Sequence, residues 1–176
     1  MEIISRNDCI KWCLARRINI LAPNHSFFDG QKNFLVSAKL PTNFLDCVGM
    51  SITLDELLVK KKSAALLWFQ DWDIWSPEIE FVGMQIWKKF RTMSNSNSLI
   101  EYPGHILTPN ANAESNILIL LPILFQWDVK LISDCGNIVL DIKHNGFIYL
   151  SSRNNEASIS DLKKAIQQQV DSTPQT

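Results

Sequence analysis

A continuous apolar run leads into alternating polar and apolar positions within residues 64–75, which read AALLWFQDWDIW. The six apolar residues at its start predict a strand that is buried on both faces. The alternation that follows places Asp71, Asp73 and Trp75 on one side, which predicts that the strand ends partly exposed. We therefore expect this Trp-rich strand to lie at the centre of the fold.

One helix and one strand are predicted at the start of the chain. Residues 5–17 begin with three candidate caps, Ser5, Asn7 and Asp8, and place Cys9 and Cys13 on one helix face. Residues 33–40, NFLVSAKL, alternate in the way a strand does. We therefore expect both thiols to be buried core residues; a thiol site is the alternative.

A second helix is predicted between Pro41 and the Trp-rich strand, with Thr42 as its cap and residue 62 near its end. Poor helix formers weaken its middle, at residues 49–53. The sequence is compatible with one helix or with two, the second of which would start at Asp55.

After the Trp-rich strand, Ser76-Pro77-Glu78 is the clearest helix start in the sequence. Apolar residues follow at spacings of three and four, which predicts a buried stripe; they are Ile79, Val82, Ile86, Phe90 and Met93.

An extended segment, LIEYPGHILT, covers residues 99–108, where Pro103 predicts an edge strand or a bend. A deeply buried helix is expected after Asn110 or Asn112, because residues 117–125 are apolar on nearly all sides. Pro122 predicts a kink in that helix.

The chain then alternates as three strands of an antiparallel meander, which are residues 127–133, 138–144 and 147–151. Asn145-Gly146 predicts a two-residue hairpin turn with positive φ at both positions, which would place His144 opposite Phe147. In that register Leu140 and Ile142 face the helices, and we expect Asp141 to lie in solvent.

A last helix is predicted over residues 160–170, before a disordered tail at 171–176. These elements predict an α/β or α+β fold: a single domain over residues 1–170, in which helices flank a mixed sheet that carries the C-terminal meander.

Composition and charge bear on the classes of molecule that the protein could bind. The chain is 46% hydrophobic with a net charge of −1, so no charge imbalance indicates nucleic acid or an acidic membrane surface. The first residues lack a signal-peptide pattern, no apolar run is long enough to span a bilayer, and four irregularly spaced cysteines do not form a disulfide framework. We therefore expect a cytoplasmic protein; its oligomeric state is left open.

Three motifs carry a resemblance to a known family: LLWFQDWDIWSPE, then EYPGHIL, then ILFQWDVKLI. Together they resemble a family of uncharacterised bacterial proteins with a Trp-rich strand, a Pro-Gly-His segment and a late hairpin that opens with Trp-Asp. The resemblance covers roughly residues 5–150 and implies a bacterial source. It implies no activity and no site residues.

Acidic residues cluster at the end of the Trp-rich strand and suggest one kind of site. Asp71 and Asp73 share a strand face, and Glu78 begins the next helix. Such carboxylates are suited to a hard cation or to acid–base catalysis, and His105 after the Pro-Gly bend is a candidate to join them. A structural interpretation is simpler, because Glu78 is a normal helix-start acid and a histidine after a bend usually bonds to nearby backbone. No metal-ligand spacing or cofactor motif is found, and we predict neither a metal nor a cofactor.

Aromatic residues mixed with acids suggest another kind of site. Trp72, Trp75 and Trp127 lie at predicted strand ends beside acids such as Asp128. They either close the core or form a protein-binding patch, because Trp is enriched in binding hot spots. The leading hypothesis is a non-catalytic protein-binding module of bacterial type, immunity-like or regulatory, whose partner contacts this acidic-aromatic edge. The alternative is a small enzyme or ligand-binding domain that uses the acidic cluster.

Overall fold

One antiparallel sheet of seven strands organises the described part of the chain. The computed structural model describes residues 2–21, 27–28, 34–60, 64–70, 85–87, 89, 91, 101–110, 112–153 and 164. The strands are β1 (Glu2–Ile4), β2 (Phe34–Lys39), β3 (Ala65–Phe69), β4 (Gly104–Leu107), β5 (Val129–Ser133), β6 (Ile138–Lys143) and β7 (Phe147–Ser152). Their order across the sheet is β1-β4-β3-β5-β6-β7-β2.

Every neighbouring pair of described strands is antiparallel. The α+β class is therefore confirmed, whereas the expected mixed sheet is wrong. The expectation assumed that strands separated by a helix would be parallel neighbours, but β2 and β3 are far apart in the sheet.

The described helices are α1 (Arg6–Ala15), α2 (Phe44–Leu54) and α3 (Asn112–Phe125). Ser5 caps α1 as predicted: its Oγ accepts a hydrogen bond from the Asp8 amide at 3.2 Å. Asn43 rather than Thr42 caps α2, because its Oδ1 accepts from the Asp46 amide at 2.9 Å.

The helical path continues beyond α2 without a break. Asp55 is helical, with φ −59° and ψ −47°, and the chain passes there from α-helix into a π-helical segment, Asp55–Lys60. The weak residues in the middle of α2 therefore do not divide it, and the change of helix type occurs at Asp55.

The sheet is covered on both faces, which explains the uniform burial of β3. Leu67 and Phe69 belong to the core cluster beneath α2 and α3. Leu66 and Trp68 point the other way, into a second cluster that contains Cys9 and Cys13 of α1. Burial raises the pKa of both thiols to about 12, so they remain protonated, in agreement with a structural role.

β4 is not an edge strand, although Pro103 stands directly before it. β1 pairs with its outer side and takes the edge position. The Pro103 carbonyl accepts a hydrogen bond from the Phe69 amide at 3.2 Å. Proline has no amide hydrogen, but its carbonyl can still pair with the neighbouring strand. β1 was not predicted, since three residues are too few to show a period.

α3 is deeply buried as predicted, and its buried apolar residues include Leu118, Ile119, Leu121 and Ile123. The helical residues 85–87, 89 and 91 place Trp87 in the core and leave Ile86 44% exposed. Ile86 was expected on the buried stripe, but the bulkier neighbouring Trp87 takes the inward position. Several predictions concern residues that the structure does not describe. These are the other stripe residues, the tail 171–176, the domain limits and the helix 160–170, of which residue 164 alone is described and is helical.

The meander is confirmed, but the register of its second hairpin is wrong by one residue. Lys143 rather than His144 pairs with Phe147, which leaves a three-residue loop. Gly146 has φ +79° and its amide donates to the Lys143 carbonyl at 3.1 Å, whereas Asn145 does not have positive φ. This is a type I turn followed by a left-handed glycine, and it places Asp141 opposite Tyr149.

Among the described residues, no helix combines the length and apolarity that crossing a bilayer requires.

Candidate functional site

The predicted site residues fall into three groups in the structure. Asp71, Trp72, Asp73, Trp75 and Glu78 lie outside the described residues. His105 lies in the core on the face beneath α2 and α3, while Trp127 and Asp128 lie at the end of the sheet where α3 leads into β5.

The aromatic ring of Phe69 lies between His105 and Trp127 and contacts both. Its ring centroid is 5.7 Å from that of His105 and 6.2 Å from that of Trp127. The contact is apolar and carries no hydrogen bond, so the two groups share a core without forming one polar site.

His105 is a fully buried histidine whose two ring nitrogens have no hydrogen-bond partner. Backbone groups of Pro103 and Leu67 nevertheless lie close to the ring and oppose the fall of its pKa, so the expected backbone contact is present but falls short of standard hydrogen-bond geometry. Its ring packs 4.9 Å from that of Trp87. Burial, reinforced by the Arg91 guanidinium, lowers its pKa to about 3, so the imidazole is neutral at physiological pH. A neutral histidine enclosed in this way is a core residue rather than a proton-transfer group.

Trp127 is only 4% exposed, and the more accessible ring of Phe125 packs against it. Phe125 stacks on it with centroids 5.4 Å apart and 20° between the planes, and Phe125 itself is 39% exposed. Sequence reasoning selected Trp127 and missed Phe125, because Phe125 also ends the apolar run of α3. The aromatic group available to a partner at this position is therefore Phe125.

The turn between α3 and β5 fixes these two rings. Gln126 has φ +52°, and the Trp127 amide donates to the Pro122 carbonyl at 3.0 Å. This is the hydrogen bond of a Schellman motif, with glutamine at the position that glycine usually takes. The Gln126 side chain lies against Gly146, so the turn also contacts the β6–β7 loop.

Asp128 holds two neighbouring side chains of the β6–β7 hairpin. Its Oδ1 accepts from the His144 amide at 2.6 Å and from His144 Nδ1 at 3.0 Å. Its Oδ2 lies 3.5 Å from Lys143 Nζ. The Asp128 side chain is 11% exposed, against 68% for His144. The carboxylate is therefore enclosed, and it orients groups that solvent can reach.

A second buried carboxylate, Asp141, continues this network. Lys130 Nζ donates to Asp141 Oδ2 at 2.7 Å, and both side chains are almost fully buried. Lys143 Nζ lies 3.4 Å from Asp141 Oδ1. Burial alone would lower the pKa of Lys143, but the carboxylates of Asp141 and Asp128 raise it. Burial lowers the pKa of Lys130, and Asp141 opposes that shift.

The expectation that Asp141 lies in solvent is therefore wrong. It assumed an open sheet face, but that face carries the α1 core cluster, and the Phe27 ring lies 5.0 Å from Lys130 Nζ. A signal was available in the sequence. The first two predicted strands of the meander leave a turn at residues 134–137, which places Lys130 directly opposite Asp141 as a pair of opposite charges.

The same sheet face ends in a row of basic and aromatic side chains. Phe147 on β7 lies directly between Lys143 on β6 and Lys39 on β2. Lys39 is exposed and Phe147 is half-buried, with the Tyr149 ring 6.3 Å away. We use the term hairpin-end surface for the accessible residues at this end of the sheet, which are Lys39, Phe125, Gln126, Lys143, His144, Asn145 and Phe147.

No group of three or more metal-binding side chains occurs among the residues that the structure describes. Comparisons with protein-family models, with curated proteins and with solved structures find no match.

Proposed function

We propose that this chain is a non-catalytic protein-binding module and that the hairpin-end surface is its contact region. The carrying observation is the exposed ring of Phe125 on the buried ring of Trp127, next to the enclosed Asp128. Binding hot spots combine an accessible aromatic group with a rigid, well-packed surrounding.

The fixed geometry favours binding because little conformational freedom remains to be lost. Asp128 holds the His144 ring, and Lys143 lies between two carboxylates. Immobilising a long side chain on binding costs about 0.5–1.5 kcal/mol, and a side chain that is already held avoids part of that cost.

A regulatory or toxin-neutralising partner protein in a bacterial cytoplasm is the concrete form of this proposal. All four cysteines are free thiols, which agrees with a reducing compartment. The net charge of −1 is less acidic than an inhibitor of a basic nuclease usually needs, so charge alone does not favour that kind of target.

The alternative, a small enzyme or ligand-binding domain, depends on Asp71, Asp73 and Glu78 outside the described residues. Its described member, His105, is fully buried and neutral. This burial favours the binding module over the enzyme.

Site-specific photocrosslinking tests the proposal. A photoreactive phenylalanine analogue replaces Phe125 in one sample and Leu14, an exposed leucine on α1, in the control. Irradiation of cells that produce each protein should give a discrete crosslinked partner from position 125 alone. Mass spectrometry identifies the partner, which is then purified for affinity measurements.

The purified partner allows a quantitative test. Phe125→Ala should weaken its affinity at least 10-fold, as expected for a hot-spot aromatic residue, while Leu14→Ala should change it less than 2-fold. A partner that crosslinks equally from both positions, or an affinity that Phe125→Ala leaves unchanged, would contradict the assignment of this surface.

A further inference from the structure

We infer that the hairpin-end surface recognises an acidic protein segment, an inference that rests on the proposed function and adds the chemistry of the partner. Asp128 is the described acid of the acidic-aromatic edge that the sequence predicted. The structure instead encloses Asp128 and Asp141, whose side chains are 11% and 2% exposed. Among the described residues of this surface, the ammonium groups of Lys39 and Lys143 are the charged groups nearest to solvent.

Because the lysine ammonium groups are more exposed than the carboxylates, a partner meets positive charge first. Lys143 is 26% exposed and lies outside both carboxylates that neutralise it. A carboxylate of a partner would approach the ammonium group directly, while an approaching cation would be separated from Asp128 and Asp141 by Lys143 and His144. The network is therefore close to neutral in total, yet it presents hydrogen-bond donors outward.

The spacing of the two lysines limits the shape of the partner segment. Lys39 and Lys143 both oppose Phe147, so they are two strand spacings apart, or about 10 Å between backbones. In an extended peptide, side chains at positions i, i+2 and i+4 share one face at intervals of about 7 Å. Lys143 is held by its carboxylates, but the exposed Lys39 side chain can extend to make up the difference, so the surface accommodates acids at i and i+4 with an apolar side chain at i+2 against Phe147.

A nucleic acid also presents regularly spaced negative charges, but the structure favours protein. Phosphate backbones are held by many cations at once, and the chain has a net charge of −1 with one of these two lysines already paired. Two ammonium groups beside one half-buried ring match a short acidic-apolar motif better than a polyphosphate.

Fluorescence anisotropy with the full chain tests this inference. The probes are a labelled peptide that repeats Glu-Ser-Leu-Ser-Glu, the same peptide with lysine in place of glutamate, and a labelled twelve-residue oligothymidine. The acidic peptide should bind at least 10-fold more tightly than the lysine peptide in 50 mM salt, and 500 mM salt should remove most of that difference.

Two matched substitutions locate the binding. Lys39→Gln should weaken the acidic peptide about 3-fold or more, whereas Lys11→Gln, at an exposed lysine on α1, should have no effect. Asn145→Asp adds one negative charge and keeps the oxygen that accepts from the Phe147 amide, so it should weaken binding without disturbing the loop. Asn19→Asp, at an exposed asparagine after α1, is its control.

Three results would overturn the inference: no binding of the acidic peptide, equal or tighter binding of the lysine peptide, or tighter binding of the oligothymidine. Each would leave the Phe125 crosslink unaffected, so failure of the acidic specificity is distinguishable from failure of the protein-binding function.

Discussion

Leu67 occupies the most enclosed part of the sheet, where β3 pairs it with Leu131 of β5 and His105 of β4. Its side chain is fully buried, so Leu67→Ala would leave a cavity that neighbouring strands cannot easily fill. The substitution should lower the free energy of unfolding by roughly 2–5 kcal/mol in urea denaturation. Leu21→Ala, at a 68% exposed leucine, is the control and should change it by less than about 0.5 kcal/mol. An unchanged midpoint for Leu67→Ala would mean that β3 is not a core strand.

His105 should make the stability depend on pH. Its pKa falls from 6.5 to about 3 on folding, so between these values the unfolded chain binds more protons than the folded chain. The stabilisation is complete above pH 6.5 and is lost as the pH falls towards 3. The slope should approach about 1.4 kcal/mol per pH unit for this one proton. Urea unfolding between pH 7.5 and 4.5 measures it.

His105→Phe is the control for this pH dependence. Phenylalanine keeps an aromatic ring beside Trp87 and removes two buried nitrogens that have no hydrogen-bond partner. The variant should be at least as stable as the natural chain at pH 7, and its stability should fall less steeply in acid. Equal slopes for the two proteins would show that other groups account for the acid sensitivity.

At the scale of elements, local sequence signals predicted where strands and helices occur better than they predicted the pairing register between strands. The period-two pattern of β5, β6 and β7 identified the meander, and Ser5 identified the start of α1. The Asn145-Gly146 dipeptide is compatible with a two-residue or a three-residue loop, because both place glycine at positive φ. The pairing of Lys143 with Phe147, which depends on the tertiary structure, distinguishes the two.

The candidate site was predictable in part for a similar reason. Trp127 and Asp128 were found because the pattern predicted a strand from residue 127; the strand begins at Val129, and the burial of these two residues depends on α3 and on the hairpin. Phe125 and Lys39 lie far apart in the sequence, so no local pattern associates them with one end of the sheet. Of the acids expected at this edge, Asp128 is described, and its enclosure beneath a lysine was not predictable because it is a long-range property.

The Lys130–Asp141 ion pair links β5 to β6. Removing only one of its two charged groups should lower the stability of the fold markedly. Asp141→Ala leaves the Lys130 ammonium group buried without its closest counter-charge, and should lower the free energy of unfolding by about 3–5 kcal/mol. Chemical denaturation of the purified variant measures this loss.

The double variant Lys130→Met with Asp141→Leu should recover most of that loss, because two apolar side chains of similar length replace the ion pair. Lys143 and Asp128 keep their own contact in both proteins. A double variant as unstable as Asp141→Ala would indicate that the pair does more than neutralise its own charges.

At the scale of the whole molecule, the strand order predicts how protection is distributed across the sheet. β3, β5 and β6 each have described strands on both sides, whereas β1 and β2 are each paired with one described strand. Amides of β5 should exchange hydrogen with solvent most slowly, and those of β1 and β2 fastest. Exchange measured by mass spectrometry or NMR tests this order. Protection of β2 equal to that of β5 would mean that a further segment covers this edge.

The position of β2 beside β7 also affects how the protein is made. β2 leaves the ribosome about a hundred residues before the strand that pairs with it. At translation speeds of about 5–20 residues per second, the nascent FLVSAK segment waits roughly 5–20 s for that partner. During this interval it is an unpaired apolar strand, the kind of segment that chaperones bind and that aggregates when they are scarce. The yield of folded protein in the cell should therefore depend on translation speed and chaperone supply as well as on the stability of the finished sheet.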